Sequence, residues 1–505
     1  MQFSEEEIRK LFGNEAADDE SADELRQYYL KGSAYEKLSQ NIPFYMLVGH
    51  KGTGKSALFR ILANENREQG LLPIEIRPDD FDIFRDNNSN INSQIKQLQD
   101  GLCNIVFRKI VDSLLNLNAI KHTDKNWVGW FARVSNLFKA VVKEKLADLK
   151  NKALPNIDQK QFLAIFKDTV FREKRVVIYI DDLDRGWKNT PGEIQFISAL
   201  VNAVRALLRD VPGVCFRIAM RSSVYYSFRK SDESTDKFDS SVIWLTWTNN
   251  EIFVMLIKRI SNFWGLNLDE KKLLKTPQIE LNDKYLSYVF EKQFNSKDTW
   301  RDVPMCQVLM SLIRKRPRDL VKLCILSARK ANKHGYDKIN HSCIDKILSQ
   351  YSNDRLLDAV NEYKTELEVL IDILPKMRPT TERVRKEKEN VHVYSRQELL
   401  QKLYHIIEQT SSAKRKFVNG ERLEPEKLMH FLYKINFLTA RKDLENDEIR
   451  RYYFEEQNYL ANEHVDYGFS FEIHPAYRWA IQPDNIEAIF NTLKGYNLKG
   501  LFQAS

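Results

Sequence analysis

Pro43-Phe44-Tyr45-Met46-Leu47-Val48, then Gly49-His50-Lys51-Gly52-Thr53-Gly54-Lys55-Ser56, then Ala57-Leu58-Phe59-Arg60-Ile61-Leu62, is the stretch that decides the fold. The first six residues are apolar and strand-like, and the last six follow a helical pattern. A glycine loop between a strand and a helix is the setting of a phosphate-binding loop. A polyphosphate needs many donors at short range. Gly49, Gly52 and Gly54 let the main chain curl so that successive N–H groups point inward. The helix that starts near Lys55 adds the positive end of its dipole. Lys55 is expected to reach the β- and γ-phosphates, and the Ser56 hydroxyl to ligate Mg²⁺. The candidate binding residues are therefore Gly49, His50, Lys51, Gly52, Thr53, Gly54, Lys55, Ser56 and Ala57. The competing reading, a surface glycine turn, explains neither the strand before nor the helix after.

A second stretch answers the first. Arg175-Val176-Val177-Ile178-Tyr179-Ile180-Asp181-Asp182-Leu183-Asp184-Arg185 is an apolar run without alternation. That pattern suits a strand covered on both faces of a parallel sheet. The run ends in acids. Beside a phosphate loop, Asp181 is expected to hold Mg²⁺, directly or through water, and Asp182 to polarise the attacking water. Leu72 to Arg77, Val214 to Met220 and Val242 to Leu245 supply further strands, with a helix from Glu193 to Arg209. Arg221-Ser222-Ser223 stand at the exit of the strand that begins at Val214. Ligands of such sheets sit at the carboxyl ends of the strands, and Lys55, Asp181 and Arg221 all fall there.

The chain has 505 residues, room for two to four domains. Hydrophobic residues are 43% and charged residues 29%, ordinary for a soluble globular protein. No apolar run approaches the length that spans a bilayer, and the start, Met1-Gln2-Phe3-Ser4-Glu5, leads into no signal-peptide core. The expectation is a cytoplasmic protein that makes no membrane contact. The five cysteines form no CxxC pair and no His cluster joins them, so they read as buried free thiols. A net charge of +8 and a pI near 8.9 allow nucleic-acid contact without demanding it.

The expected fold class is α/β: a P-loop NTPase parallel sheet with a large helical insertion, followed by an all-α lid and a winged-helix domain. Residues 1–40 read as a helical segment, 41–248 as the core with its insertion at about 85–170, 249–362 as the lid, 363–482 as winged-helix-like, and 483–505 as a tail. In the insertion, Trp127, Trp130, Phe131, Val134, Leu137 and Phe138 form a helical face that reads as core, and a lysine-rich run from Lys143 to Lys152 closes it. In the lid, Asn249 is expected to cap a helix from Glu251 to Trp264, with further helices at about 283–294, at Val303 to Arg314, from Pro317 to near Gly335, and from Asn340. In the last domain, Leu367, Leu370 and Ile371 are expected in one helix. A basic connector follows, Lys376 to Glu389. The capping box Ser395-Arg396-Gln397-Glu398 opens a second helix, Pro425 opens a third that runs to Leu438, and two strand-like segments follow, Ile449 to Gln457 and Phe469 to Ile473. The third helix is expected to expose Lys427, His430 and Lys434, and the wing to carry Arg450 and Arg451.

Taken together, GHKGTGKS, VVIYIDDLDR, RIAMRSS and Arg316-Pro317-Arg318-Asp319 resemble AAA+ and STAND-type ATPases, in which a lid and a winged helix follow the core, as in origin-recognition ATPases. The IDDLDR string is similar to that of KAP NTPases, and the whole resembles the FunZ-type bacterial P-loop ATPases. The resemblance covers about 40 to 480. It implies ATP and Mg²⁺ as cofactors, Arg221 or Ser222 as the first sensor of the γ-phosphate, and Arg318 as the second. It implies self-association through the nucleotide interface, with Arg205, Arg209 or Arg185 as the arginine finger. Asp182 departs from the family, which often has Glu there. The implied activity is an ATP-hydrolysing switch or remodeller acting on DNA, through the winged helix and the connector, or in genome and antiviral defence. The alternative is a nucleotide-gated signalling or scaffold protein with little turnover whose winged helix binds protein. A P-loop kinase fits less well, because no acceptor site is visible.

Overall fold

The computed structural model describes residues 1–14, 19–84, 90–117, 176–211, 213–231, 233–295, 303–387, 390–444, 449–462 and 464–482. Most of the expected insertion, including the Trp127 to Phe138 face and the lysine-rich run, lies outside the described residues, as does the expected 483–505 tail. The chain divides into two compact units, one of Lys31–His50 and Lys55–Leu245, the other of Met1–Leu30, Lys51–Gly54 and Thr246–Ser505. Among the described residues no helix is long and apolar enough to cross a membrane.

The first unit is built on a parallel sheet of β1 (Phe44–Gly49), β2 (Leu72–Ile76), β3 (Val176–Ile180), β4 (Val214–Arg221) and β5 (Val242–Trp244), in the order β2-β3-β4-β1-β5. Every residue of β1 and β3 is buried, which is why these strands show no alternation. The helix Lys55–Glu68 follows β1 directly. The helix Pro191–Asp210 starts on a capping box of Thr190 and Glu193, buries one face, and packs against the helix Ile91–Leu117. The strand order has a functional consequence. It sets β4 between β1 and β3, with Gly49 opposite Arg221, so the ends of all three strands lie within two strand spacings, roughly 10 Å.

Arg217 sits in the middle of β4 with 2% of its surface exposed. It is held by main-chain carbonyls: Nε donates to Leu38 O at 3.1 Å, Nη1 to Ile42 O at 2.8 Å and Nη2 to Gln40 O at 2.8 Å. A central strand thus carries a cation because the segment after the helix Ser33–Ser39 needs donors for its carbonyls. Burial pushes the guanidinium below its ordinary value.

In the second unit, the helices Glu5–Phe12 and Ala22–Tyr28 pack on Asn249–Phe263. That helix is capped by Thr248, one residue before the expected Asn249, because Thr248 and Glu251 form a capping box. The helix Pro317–His334 ends at Gly335 in a left-handed cap, as its sequence predicts. The helices expected at 283–294 and 303–314 are shorter and differently placed. A helix covers Gln278–Lys284 and another Met305–Ser311, and β6 (Gln293–Phe294) pairs with β7 (Val303–Pro304). The helix expected through Leu367, Leu370 and Ile371 covers only Leu370–Ile373, with Leu367 before it.

Further along, β8 (Val393–Tyr394), β9 (Leu438–Asp443), β10 (Ile449–Tyr452) and β11 (Ser470–Ile473) form an antiparallel sheet in the order β10-β9-β11-β8. The helices Arg396–Glu408 and Pro425–Lys434 pack on each other. Two packed helices followed by the β9–β10 hairpin give the winged-helix order. The expected third helix stops at Lys434, and Leu438 opens β9 instead, because Asn436 takes a left-handed φ of 59° that ends the helix.

Candidate nucleotide site

The carboxyl ends of β1, β4 and β3 bring the first set of site residues together. Lys55 Nζ donates to the carbonyls of Gly49 at 2.8 Å and His50 at 3.0 Å, so the lysine lies across its own loop. The Ser56 hydroxyl is hydrogen-bonded to Asp181, and Lys55 lies close enough to act on that carboxylate. Asp181 Oδ1 also accepts from the Asp182 N–H at 2.8 Å. Burial pushes the Asp181 carboxyl up from its ordinary value, against Ser56, the Asp182 amide and Lys55, which pull it down. Asp182 is also pushed up, by burial and by the neighbouring Asp184 and Asp181. Its main chain is left-handed, with φ 59°, a conformation that an Asp tolerates better than most residues.

Arg221 points to Asp184, not to Asp182. Its Nε pairs closely with Asp184 Oδ2, and Asp184 is 4% exposed. On the other side of β4, the buried Ser222 hydroxyl meets His50 Nδ1 at 3.0 Å, which ties β4 to the start of the loop. The sequence reading missed Asp184, although the third acid of Asp181-Asp182-Leu183-Asp184 was in view. The reading also gave His50 no fixed partner.

The turn of the loop, Lys51–Gly54, groups with the second unit. Trp247 Nε1 donates to Thr53 O at 2.7 Å. The Arg318 N–H donates to Gly52 O at 3.4 Å. Gly52 has φ +85°, and a Cβ there would lie 3.1 Å from Arg318 Cβ, so only glycine fits. The Lys51 N–H donates to Glu362 Oε1 at 3.0 Å, while Arg316 Nη1 donates to Lys51 O at 3.3 Å. No motif drew attention to Glu362 or Trp247, and Arg316 entered only as the residue before Pro317 and Arg318, with no role of its own. They lie 190 residues or more from the loop in sequence, and only the folded chain joins them.

The donor set suits a magnesium nucleotide. Among the described residues no group of three or more His, Cys, Asp or Glu side chains could hold a metal ion. Mg²⁺ characteristically takes one or two protein oxygens and completes its shell with phosphate and water. Ser56 and Asp181, hydrogen-bonded to each other, are such a pair. A Cβ on Gly54 would meet nothing within 4 Å, so the space above the loop is open there.

Of the arginine-finger candidates, Arg185 and Arg209 are exposed, while Arg205 lies over the Phe238 ring at 4.4 Å. The helix Pro425–Lys434 departs from expectation. Lys434 Nζ pairs with Glu366 at 2.7 Å, His430 Nδ1 meets Ala461 O at 3.3 Å, and Lys427 pairs with Glu424 at 3.5 Å. Lys434 and His430 thus face other parts of the fold, while Lys427 pairs with the cap of its own helix, so the three do not form a free basic stripe. In the wing, the half-buried Arg451 pairs with the buried Glu472 at 2.7 Å. In the connector, Arg383 donates to Val391 O at 3.0 Å and pairs with Glu398 at 3.1 Å.

Residues 275–360 match the family model described as the FunZ-associated C-terminal helical domain. No curated protein matches the chain. Among solved structures, the chain is similar to the Walker-type ATPase PABY2304 of Pyrococcus abyssi, at 12% identity and TM-score 0.39, over 92% of this chain and 96% of that one. It is similar to the Aeropyrum pernix ORC2 protein in its ADPNP–ADP complexes, at 10% identity and TM-score 0.41, over 92% and 94%. It is also similar to the Aeropyrum pernix ORC1 protein in complex with DNA, at 11% identity and TM-score 0.33, over 90% and 94%. The family-model match over residues 275–360 agrees with the sequence resemblance to FunZ-type P-loop ATPases, and the fold itself rests on the order of the parallel sheet and the loop at its centre.

Proposed function

We propose that the chain is a Mg²⁺-dependent ATPase that works as a nucleotide-controlled switch. The observation that carries this is the Ser56–Asp181 hydrogen bond beside Lys55, at the carboxyl ends of β1 and β3 on either side of β4. The loop amides and Lys55 bind and orient the triphosphate. Bound Mg²⁺ would be held by Ser56 and Asp181 and would neutralise phosphate charge. Asp182 orients the attacking water, and Arg221, fixed by Asp184, reads the γ-phosphate. Arg318 is the proposed second sensor. Phosphoryl transfer has a loose transition state, so positioning and charge supply most of the catalysis. Self-association is part of this reading, with Arg185 or Arg209 as the finger. Action on DNA or in genome defence is its wider setting, by resemblance alone.

A second reading has its own support. His430 and Lys434 are engaged by other parts of the fold, and Lys427 pairs with the cap of its own helix. That favours a nucleotide-gated scaffold whose C-terminal domain binds protein. Phosphate release at saturating Mg-ATP separates the two. An ATPase predicts turnover in wild type that falls about a hundredfold or more in Lys55→Ala and Asp181→Asn, the scale of losing a charged transition-state contact. If wild type hydrolyses no faster than Lys55→Ala yet alone binds ATP, the scaffold reading replaces the first. Solution mass with and without ATP tests self-association. A DNA shift assay at several salt concentrations tests phosphate contacts.

A further inference from the structure

The peptide groups of Lys51 are held on both sides by one buried ion pair. Glu362 Oε1 takes the N–H, Arg316 Nη1 takes the carbonyl, and Arg316 Nη1 pairs with Glu362 Oε2 at 3.1 Å. The side chains of both residues are almost fully buried, at 2% and 1% exposure. Arg316 Nε and Nη2 have no hydrogen-bond partner among the described residues, which is costly for a buried guanidinium. Lys315, beside Arg316, is left-handed with φ 53°, an uncommon conformation for lysine. On either side of this turn Arg314 and Arg316 are both buried. A charge buried at such cost, on a strained turn, against the main chain of a phosphate loop, has a purpose beyond stability.

The pair also has an onward path. Arg314 Nε and Nη2 clasp Asp319 at 2.7 and 2.8 Å, and Arg355 Nη1 reaches the same carboxylate at 2.6 Å. Arg314 Nη1 donates to the Tyr477 hydroxyl at 2.9 Å. Glu362 and Arg355 share the helix Leu348–Tyr363, which packs along Pro475–Ile481, and the Ala480 N–H donates to Ser352 Oγ at 2.9 Å.

We propose that Glu362 and Arg316 are positioning residues for the nucleotide. They set the shape of the phosphate loop at Lys51 and pass its occupancy, through the helix Leu348–Tyr363, to the C-terminal helix Pro475–Ile481. The proposal rests on the reading of the loop as a nucleotide site. It adds a sensor that the AAA+ resemblance does not supply, since that resemblance points to Arg318.

The test uses the full chain, a fluorescent ATP analogue with Mg²⁺, and amide hydrogen exchange. Glu362→Ala should weaken binding by roughly tenfold or more, as expected for losing a hydrogen bond to a charged acceptor. Glu362→Gln keeps an oxygen for the Lys51 N–H and should recover much of the loss. Without nucleotide, the Lys51 amide should exchange faster in Glu362→Ala while β1 stays as protected as in wild type. With nucleotide, protection gained over Pro475–Ile481 in wild type should vanish in the variant. Unchanged or tighter binding overturns the proposal, as does identical nucleotide-induced protection in both proteins. If wild type itself binds no analogue, the function reading falls, and the Lys51 exchange rate alone then tests the grip. If Glu362→Ala does not fold, Glu362→Leu, which fills the space without an acceptor, and Arg316→Lys are read the same way, and wild-type Lys51 exchange in both overturns the clamp.

Discussion

Asp184 shows how a buried carboxylate can direct an arginine at a distance from the reacting atoms. Its pairing with Arg221 fixes that guanidinium at the end of β4. Removing the charge would free Arg221 to swing into water. Asp184→Asn is therefore expected to lower kcat by roughly tenfold to a hundredfold, the scale of ~1.5–3 kcal/mol for a hydrogen bond to a charged group, while changing ATP affinity little. Steady-state kinetics beside equilibrium binding separates the two effects. A fall in affinity with kcat intact would mean that Arg221 serves binding instead. The loop glycines give a sharper residue-scale contrast. Gly52→Ala and Gly54→Ala both put a side chain at positive φ, at a cost of about 1–2 kcal/mol. Only at Gly52 does the new Cβ also press on Arg318. ATP binding should fall further in Gly52→Ala than in Gly54→Ala, and equal losses would show that Arg318 plays no part.

At the scale of elements, what the sequence revealed tracks how locally each element is determined. β1 and β3 were legible because a strand covered on both faces must be apolar throughout. The capping box at Ser395 is local too, and the structure has it. The short elements were not legible. β8 spans Val393–Tyr394 alone, and β9 is Leu-Thr-Ala-Arg-Lys-Asp, charged enough to pass for a helix end. The stop signal before β9 was present in Asn436, since Asn is the residue besides glycine that most readily turns left-handed. Arg217 is a residue whose role sequence alone does not assign. It stands within the strand read from Val214 to Met220, and it lies in the sheet interior because three carbonyls of another segment need it. Arg217→Leu would leave those carbonyls without their buried donor. A loss of about 2–4 kcal/mol is expected from urea unfolding, and Arg217→Lys should recover only part, because an ammonium cannot span the same fork.

At the scale of the whole molecule, the sequence gives no hint of which distant charges will meet. Glu472 of the C-terminal sheet pairs with both Arg451 and Arg478, and the titration of the buried groups around it should shape how the fold responds to pH. His474 Nδ1 accepts from the Ala476 N–H at 3.1 Å, and Nε2 lies 2.9 Å from the Tyr453 hydroxyl, so the ring is neutral with its proton on Nε2. Burial, Arg314 and Arg478 hold it at about 3, well below its ordinary 6.5. Its contribution to stability is therefore complete above pH 6.5 and is lost as pH falls toward 3. His392, also lowered by burial and Arg478, acts with the same sign. Glu455 does the opposite. Burial raises it from 4.5 to about 7, so its contribution is complete below pH 4.5 and is lost as pH rises through 7. Glu472 opposes burial with Arg451, Arg478 and Arg441 and sits at about 2, so its contribution holds above pH 4.5 and fails as pH falls through 2. Between pH 4.5 and 6.5 the histidines and Glu455 pull against each other, and below 4.5 every remaining slope runs toward unfolding. Two histidines against one glutamate leave stability rising gently with pH in the first window, and it should fall steeply beneath it. Glu455→Gln removes the opposing slope, so stability should then rise more steeply with pH from 4.5 to 6.5. His474→Gln leaves His392 alone against Glu455 and should bring the same window close to flat. Thermal melts across pH 3.5 to 8, with hydrogen exchange over Ser470–Ile481 to place the loss, check both. Equal tilts in the two variants would show that these groups do not carry the pH response.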